Sequence, residues 1–166
     1  MKKQKGFSLI ELLIVVAIIL IIAAIAIPNL MRSRMAANES SAVGSVRTIN
    51  TAEVTYAASF PDTGYSLDLP SLGGTTAACV PGATATTAAA CLIDNLLSVV
   101  KQKSGYKFDA AGAAAKGSTT NNTYTVTAQP LGQGSTGNRG FFSDQSGVIR
   151  YTLDGSIPTT GSSPLQ

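Results

Sequence analysis

The first sixth of the chain carries a hydrophobic pattern unlike that of the rest. Residues Phe7 to Ile27 are apolar except for Ser8 and Glu11, and a short basic segment precedes them. As an α-helix this stretch would be about 32 Å long at roughly 1.5 Å per residue, close to the hydrocarbon thickness of a bilayer. The basic start predicts that the N-terminus stays in the cytoplasm and that the chain after Ile27 lies outside the membrane.

Pro28 ends this apolar stretch. A proline inside a helix removes one hydrogen bond and clashes with the carbonyl four residues earlier, here that of Ala24, so we expect a helix kink near Pro28. The helical pattern then resumes and is stopped by the Pro-Asp-Thr-Gly sequence after Phe60. We therefore predict one long helix from about Phe7 to about Ser59, whose second half is amphipathic. Its apolar face would hold Ala42, Val43, Val46, Ile49, Tyr56, Ala57 and Phe60, and its polar face Asn38, Glu39, Ser45, Arg47 and Asn50.

The remainder of the chain predicts a small head that contains an antiparallel sheet. Alternating apolar and polar residues indicate strands, and Asp144-Gln145-Ser146-Gly147 is typical of a hairpin turn between the last two. The predicted strands are Tyr106–Phe108, Tyr124–Ala128, Gly140–Ser143 and Val148–Leu153, with a short helix over Leu92, Ile93, Leu96, Leu97 and Val100. Composition indicates loops over Pro61–Ala90, Ala110–Asn122 and Gly132–Asn138, and a mobile tail over Pro158–Gln166.

The predicted fold class is therefore α+β: a long N-terminal helix, with a transmembrane half and an amphipathic half, packed against a small antiparallel β-sheet head. We divide the chain into a leader at 1–6, the long helix at 7–60 with its apolar, membrane-length half at 7–27, and the head at 61–166. Ala, Gly, Ser and Thr dominate the head, so its core is small and would benefit from a covalent link. Cys79 and Cys91 are the two cysteines. In an exported head they are expected to form a disulfide, whereas in a reducing compartment they would remain thiols.

Charge and composition exclude several functional classes. The net charge is +3, but without Lys2, Lys3 and Lys5 nine basic side chains would face nine acidic ones. No basic field then remains to attract nucleic acid, so we predict no specific nucleic-acid partner. The chain has no histidine, which excludes His-based catalytic triads, His zinc ligands and His-ligated haem. No phosphate-binding loop or calcium loop is present. We predict no enzyme activity, no cofactor and no metal.

Glu11 is the most informative residue of the N-terminal stretch. An ionised carboxylate within a membrane helix costs at least about 2.5–3.5 kcal/mol. Such a residue therefore indicates a function, and it needs a partner that offsets its charge. If the chain is cut after Gly6, Phe7 gains a positively charged amino group. That amine could pair with Glu11 in the same chain or in a neighbouring chain of a helix bundle, and the second arrangement would align subunits during assembly.

The segment Lys5-Gly6-Phe7-Ser8-Leu9-Ile10-Glu11-Leu12-Leu13 resembles the class III signal of type IV prepilins and pseudopilins. The resemblance implies that a membrane prepilin peptidase cuts after Gly6 and N-methylates Phe7. It implies a subunit that starts in the inner membrane and joins an extracellular filament, a helical homopolymer built by inner-membrane pilus assembly machinery for adhesion, motility or DNA uptake. Glu11 would be residue five of the mature chain, and Pro28 residue 22.

Three other interpretations stay open at this point. An ordinary secretory signal would be cut after Ala24-Ile25-Ala26, but Glu11 and the length of the apolar stretch argue against it. A plain single-span membrane anchor would leave Glu11 without a role. A pseudopilin of a type II secretion system has the same N-terminal signal, so the motif does not separate it from a pilin.

Overall fold

The computed structural model describes residues 7–75 and 77–165, which divide into two compact units between Arg34 and Met35. The helices are α1 (Leu9–Ser59) and α2 (Leu69–Gly73), and a π-helical turn follows at Leu96–Val100. The strands are β1 (Gln102–Lys103), β2 (Tyr106–Ala114), β3 (Asn121–Pro130), β4 (Gly140–Asp144), β5 (Arg150–Thr152) and β6 (Ser163–Pro164).

All six strands form one sheet in which spatial order follows chain order, from β1 to β6, and every neighbouring pair is antiparallel. The predicted turn joins β4 and β5, where the Gly147 N–H donates to the Asp144 carbonyl at 2.9 Å. Gly147 has φ +72°, a conformation in which glycine avoids the strain that a side chain would suffer. The long helix and the antiparallel sheet confirm the predicted α+β class.

The core of the second unit lies between the amphipathic half of α1 and one face of the sheet. Alternate residues of β2 point inwards, as the period of two in a strand requires, and meet the buried stripe of the helix. Burying these side chains stabilises the head by about 1.5–3 kcal/mol for each large apolar residue. The fully buried side chains of this core include Val46, Ile49, Tyr56, Leu69, Leu72, Leu97, Tyr106, Phe108, Tyr124, Val126 and Phe141.

Of the residues predicted for the polar face of α1, Arg47 is exposed, but the other four are buried or half-buried. Ser45 is 5% exposed and belongs to the buried stripe, which corrects the prediction for that residue. Asn38 donates to the Thr136 carbonyl and Asn50 donates to the Ser143 hydroxyl, at 2.9 and 2.8 Å. Glu39 accepts hydrogen bonds from the backbone N–H groups of 138 and 139. The helix therefore holds the head through polar contacts as well as through its apolar stripe.

The loop predicted at Gly132–Asn138 is held by its hydrogen bonds to Asn38 and Glu39 of α1. The Arg139 guanidinium also lies 2.9 Å from the Glu39 carboxylate and 5.6 Å from the centre of the Tyr151 ring. This loop carries no repeating apolar pattern, so its anchoring depends on α1 and was not visible in its own sequence.

Several other head elements differ from the prediction. β2 and β3 extend into the segment predicted as the Ala110–Asn122 loop. The alanine and glycine residues there give no strand signal in the sequence, yet their backbones pair with the neighbouring strand. The short helix predicted from Leu92 is only the turn Leu96–Val100. α2 was missed, although Asp68 caps it by accepting from the Ser71 N–H and Pro70 follows in its first turn.

The C-terminal tail is ordered where it was predicted to be mobile. Ser163 and Pro164 pair with β5, and the Leu165 N–H donates to the Ile149 carbonyl at 2.7 Å. The Arg150 side chain donates to the Ser162 carbonyl at 2.9 Å. The Leu165 side chain packs against the core, which explains why a mainly polar segment stays in place.

Candidate functional site

The N-terminal unit is a regular helix whose first turn is capped by its own side chains. Ser8 precedes the first helical residue, Leu9, and its hydroxyl accepts a hydrogen bond from the Ile10 N–H at 3.3 Å. The Glu11 carboxylate reaches back and accepts from the Ser8 N–H at 2.9 Å. This reciprocal pair is a capping box, which satisfies two donors that would otherwise lack partners at a helix start.

The capping box gives Glu11 a contact that the sequence analysis did not foresee. The signal was present, because Ser-x-x-Glu before an apolar run is typical of a helix N-terminus. Ser8 is thus a residue that sequence reasoning missed. A carboxylate in the first turn also interacts favourably with the helix dipole, by about 0.3–1 kcal/mol at an exposed site.

The predicted cleavage site lies next to this cap. Gly6 is outside the described residues, and Phe7 is described, precedes the helix and has 81% of its surface exposed. The structure brings Glu11 to the Ser8 N–H, one residue beyond the predicted new N-terminus at Phe7. The predicted pair between Glu11 and the Phe7 amine concerns the cut chain and stays a prediction.

The apolar side chains that follow are exposed on every side of the helix. The 18-residue window that makes α1 long and apolar enough to cross a membrane is 0% buried within the protein. A helix that is apolar all round belongs in lipid or among other apolar helices, since water would be a poor solvent for it. Pro28 lies inside α1, which is assigned as one helix through that position, and the predicted kink there stays a prediction.

The disulfide lies at the other end of α1, beside α2. Cys79 and Cys91 are bonded, with Sγ atoms 2.02 Å apart, and the pairing predicted for an exported head is confirmed. The N–H groups of Ala90 and Leu92 donate to carbonyls of α2 at 2.9 and 2.8 Å, and the Tyr56 hydroxyl donates to the Thr87 carbonyl at 2.7 Å. The segment between the two cysteines is thereby attached to α2 and to the C-terminal part of α1.

Comparison with known proteins adds evidence for the N-terminal segment. The family model for the prokaryotic N-terminal methylation motif matches residues 1–27. The chain is 60% identical over 40 residues to the type IV wide pilus major component of Thermus thermophilus, a match that covers 24% of this chain and 30% of that relative. It is 44% identical over 54 residues to the type IV major pilin protein of Myxococcus xanthus, which covers 32% of this chain and 24% of the relative.

A fimbrial protein of Pseudomonas aeruginosa is 54% identical over 52 residues, which is 31% of this chain and 34% of that protein. The chain thus spans about a third or less of the length of each of these relatives. No solved structure matches the chain. The methylation motif thus covers Gly6 and Phe7, and stretches of 40 to 54 residues of the chain are similar to pilus and fimbrial components.

Proposed function

We propose that this chain is a structural subunit of an extracellular type IV pilus-like filament, assembled by bundling of the helical segment 7–27. The observation that carries the proposal is an apolar helix, exposed on all sides, that begins with a single capped carboxylate. Such a segment suits a membrane before assembly and a core of identical helices afterwards, because lipid and core are similarly apolar. The transfer between them then depends on packing and on the charges at the helix start.

The leader would be removed before that transfer. A prepilin peptidase would cut after Gly6 and methylate the amine of Phe7, which removes Lys2, Lys3 and Lys5. Those three charges would be costly inside an apolar core. The new amino group of Phe7 is four residues from Glu11 and could pair with it in the same subunit. In a bundle of helices it could pair instead with Glu11 of a neighbouring subunit. In this scheme the pair neutralises a buried charge only when subunits are in register.

Energy to extract the helix from the inner membrane has to come from separate assembly machinery, since no nucleotide-binding motif is present in the sequence. The filament would then lie at the cell surface, with adhesion, motility or DNA uptake as its roles. The pseudopilin alternative shares the same N-terminal signal. It is less favoured because the relatives to which this chain is similar are pilus and fimbrial components.

The decisive experiment is mass spectrometry of the N-terminal peptide from material sheared off intact cells. We expect a peptide that begins with N-methylated Phe7, which requires both processing and surface assembly. The variant Gly6→Ala is the matched control and should retain the leader and stay in the membrane fraction. Methylated Phe7 found only in membranes would favour the pseudopilin, and a chain that begins at Ile27 or Met1 would overturn the proposal.

A further inference from the structure

Glu53 is a carboxyl group buried in the head without a cation. It lies on the buried stripe of α1 and has 0% of its surface exposed. The ion pairs in the described part of the chain are those of Lys101, Lys103 and Arg139, and none of them involves Glu53. An ionised carboxylate in such a place is unfavourable, and a buried group of this kind usually becomes neutral instead.

Among the residues that the structure describes, the side-chain hydrogen bonds of Glu53 lead to one residue, Ser66. The Ser66 N–H donates to Glu53 Oε2 at 2.9 Å, and the Ser66 hydroxyl lies 2.7 Å from Glu53 Oε1. The same hydroxyl lies 3.2 Å from the carbonyl of Asp68. A serine hydroxyl carries one proton but can accept as well as donate.

Counting protons favours a neutral Glu53. If Glu53 is ionised, the Ser66 hydroxyl has to choose between two acceptors, the carboxylate and the Asp68 carbonyl. If Glu53 carries a proton, that proton is donated to the Ser66 oxygen, and the Ser66 hydroxyl is donated to Asp68. The second arrangement uses every contact that the geometry offers.

The titratable neighbours supply no positive charge. Tyr56 on α1 and Tyr124 on β3 interact directly with Glu53. Asp68 lies near Tyr56, and Tyr65 and Asp144 lie near Tyr124, so none of the groups around the carboxyl is a cation. Burial raises the pKa of the Glu53 carboxyl above its ordinary 4.5, while the two hydrogen bonds from Ser66 lower it by less. Burial, with Glu53 next in effect, raises the pKa of Tyr124 to about 12, so this ring stays neutral as well.

Ser66 belongs to a segment that runs from the end of α1 to α2 and also touches the sheet. On the sheet side, the N–H of Tyr65 donates to the Asn121 carbonyl at 3.0 Å, and the Asn121 side chain donates to the Tyr65 carbonyl at 2.9 Å. Phe60, at the start of the segment, packs on Tyr56 of the helix, and Glu53 attaches the segment to the helix further along, at Ser66. Glu53 is therefore placed to hold or release the connection between α1 and the bridged part of the head.

We propose that Glu53 keeps its proton in the folded head and acts as a pH-sensitive latch, which fixes the segment 60–68 to α1 and loosens when the proton is lost. A carboxyl that binds its proton more tightly when folded stabilises the folded state at low pH. That stabilisation is lost as pH rises from the ordinary carboxyl pKa through the raised, folded one. The latch therefore opens on the alkaline side.

Carbon-13 NMR of the full chain in detergent micelles tests this directly. The chain has three glutamates, Glu11, Glu39 and Glu53, so labelling their carboxyl carbons gives three signals that single Glu→Gln variants assign. During a pH titration we expect the Glu53 signal to move from the protonated to the ionised position at a pH above the ordinary carboxyl pKa of 4.5, because burial disfavours the charged form. A Glu53 signal that moves at or below that ordinary value would overturn the proposal, and the measurement needs no variant of Glu53 to remain folded.

Thermal unfolding supplies an independent readout. Glu53→Gln retains a donor towards Ser66 and cannot lose it, so it mimics the protonated side chain at all pH values. We expect the melting temperature of the unaltered chain to fall by up to roughly 4–6 °C per pH unit within the window of the latch, and that of Glu53→Gln to stay level there. Glu39→Gln, the same change elsewhere on α1, should leave the alkaline fall in place. Parallel pH profiles for the unaltered chain and Glu53→Gln would exclude a proton latch.

Discussion

At the scale of single residues, Glu11 has two separable properties: it caps a helix and it carries a charge. The cap is the contact with the Ser8 N–H, which an uncharged amide oxygen could also accept. The charge is what a pair with the Phe7 amine would require. The two properties predict different outcomes for two substitutions at the same position.

Glu11→Gln should keep the cap and lose the charge, whereas Glu11→Ala should lose both. If the charge sets the register of subunits, both variants will be cleaved normally and both will yield few filaments. The measurement is the amount of this protein in the sheared fraction relative to its amount in the cells. Filaments from the glutamine variant but not from the alanine variant would show that assembly needs the cap instead.

Ser8→Ala is the matched control for that comparison. It removes the hydroxyl that receives the Ile10 N–H and leaves the Glu11 charge unchanged. Loss of an N-cap side chain costs about 0.5–2 kcal/mol of helix stability. If the proposed function is correct, a membrane or a filament core would stabilise this helix far beyond that amount, and we therefore expect Ser8→Ala to assemble.

At the scale of elements, the segment between Cys79 and Cys91 and the helix α2 are joined by hydrogen bonds. Backbone hydrogen bonds join the end of the bridged segment to Ser71 and Leu72 of α2. The bond between Cys79 and Cys91 spans a sequence separation of 12 residues. In the unfolded chain it would restrict a short, Thr- and Ala-rich segment that has few apolar residues of its own.

Replacing both cysteines by serine should lower the free energy of unfolding by about 3 kcal/mol, according to the loop-entropy estimate. The measurement is thermal unfolding of the full chain in detergent, with and without a reducing agent. Reduction should lower the melting temperature of the unaltered chain and leave that of the double serine variant unchanged. Equal melting temperatures for the oxidised and fully reduced chain would contradict a stabilising role.

How far each element could be predicted depends on which interactions create it. The apolar run of α1 and the aromatic residues of β2, β3 and β4 carry their own signals, so those elements were predicted from the sequence. The end of β2 is alanine and glycine, and it is a strand because β3 lies beside it. The capping box was readable at Ser8 and Glu11 and was overlooked. The burial of Glu53 was not readable, since it depends on Ser66 meeting the helix from outside it.

At the scale of the whole molecule, exposed apolar surface is distributed unevenly between the two units. The first unit exposes nearly all of its large apolar side chains, from Phe7 to Met31, whereas the second buries its aromatic core. The residues that form this core, from Ala42 to Leu165, lie entirely in the second unit. The second unit, which includes the amphipathic half of α1, therefore contains the whole of this core.

A chain that begins at Met35 should be soluble without detergent and should unfold in one cooperative transition. The same truncated chain with Val46→Asp, which places a charge at a fully buried position, serves as the unfolded reference. Circular dichroism during heating distinguishes the two. A gradual signal change in the truncated chain, like that of the reference, would mean that the first unit is required for folding.

The order of the strands also bears on how quickly the head can form. Each strand pairs with the next one in the chain, so the sheet can grow one strand at a time, and each new pair closes only the loop between neighbouring strands. The folding step that joins residues far apart in the sequence is the docking of α1, because its contact between Asn38 and Thr136 spans 98 residues. Since non-local contacts slow folding, we expect the attachment of the helix, and not the building of the sheet, to set the folding rate.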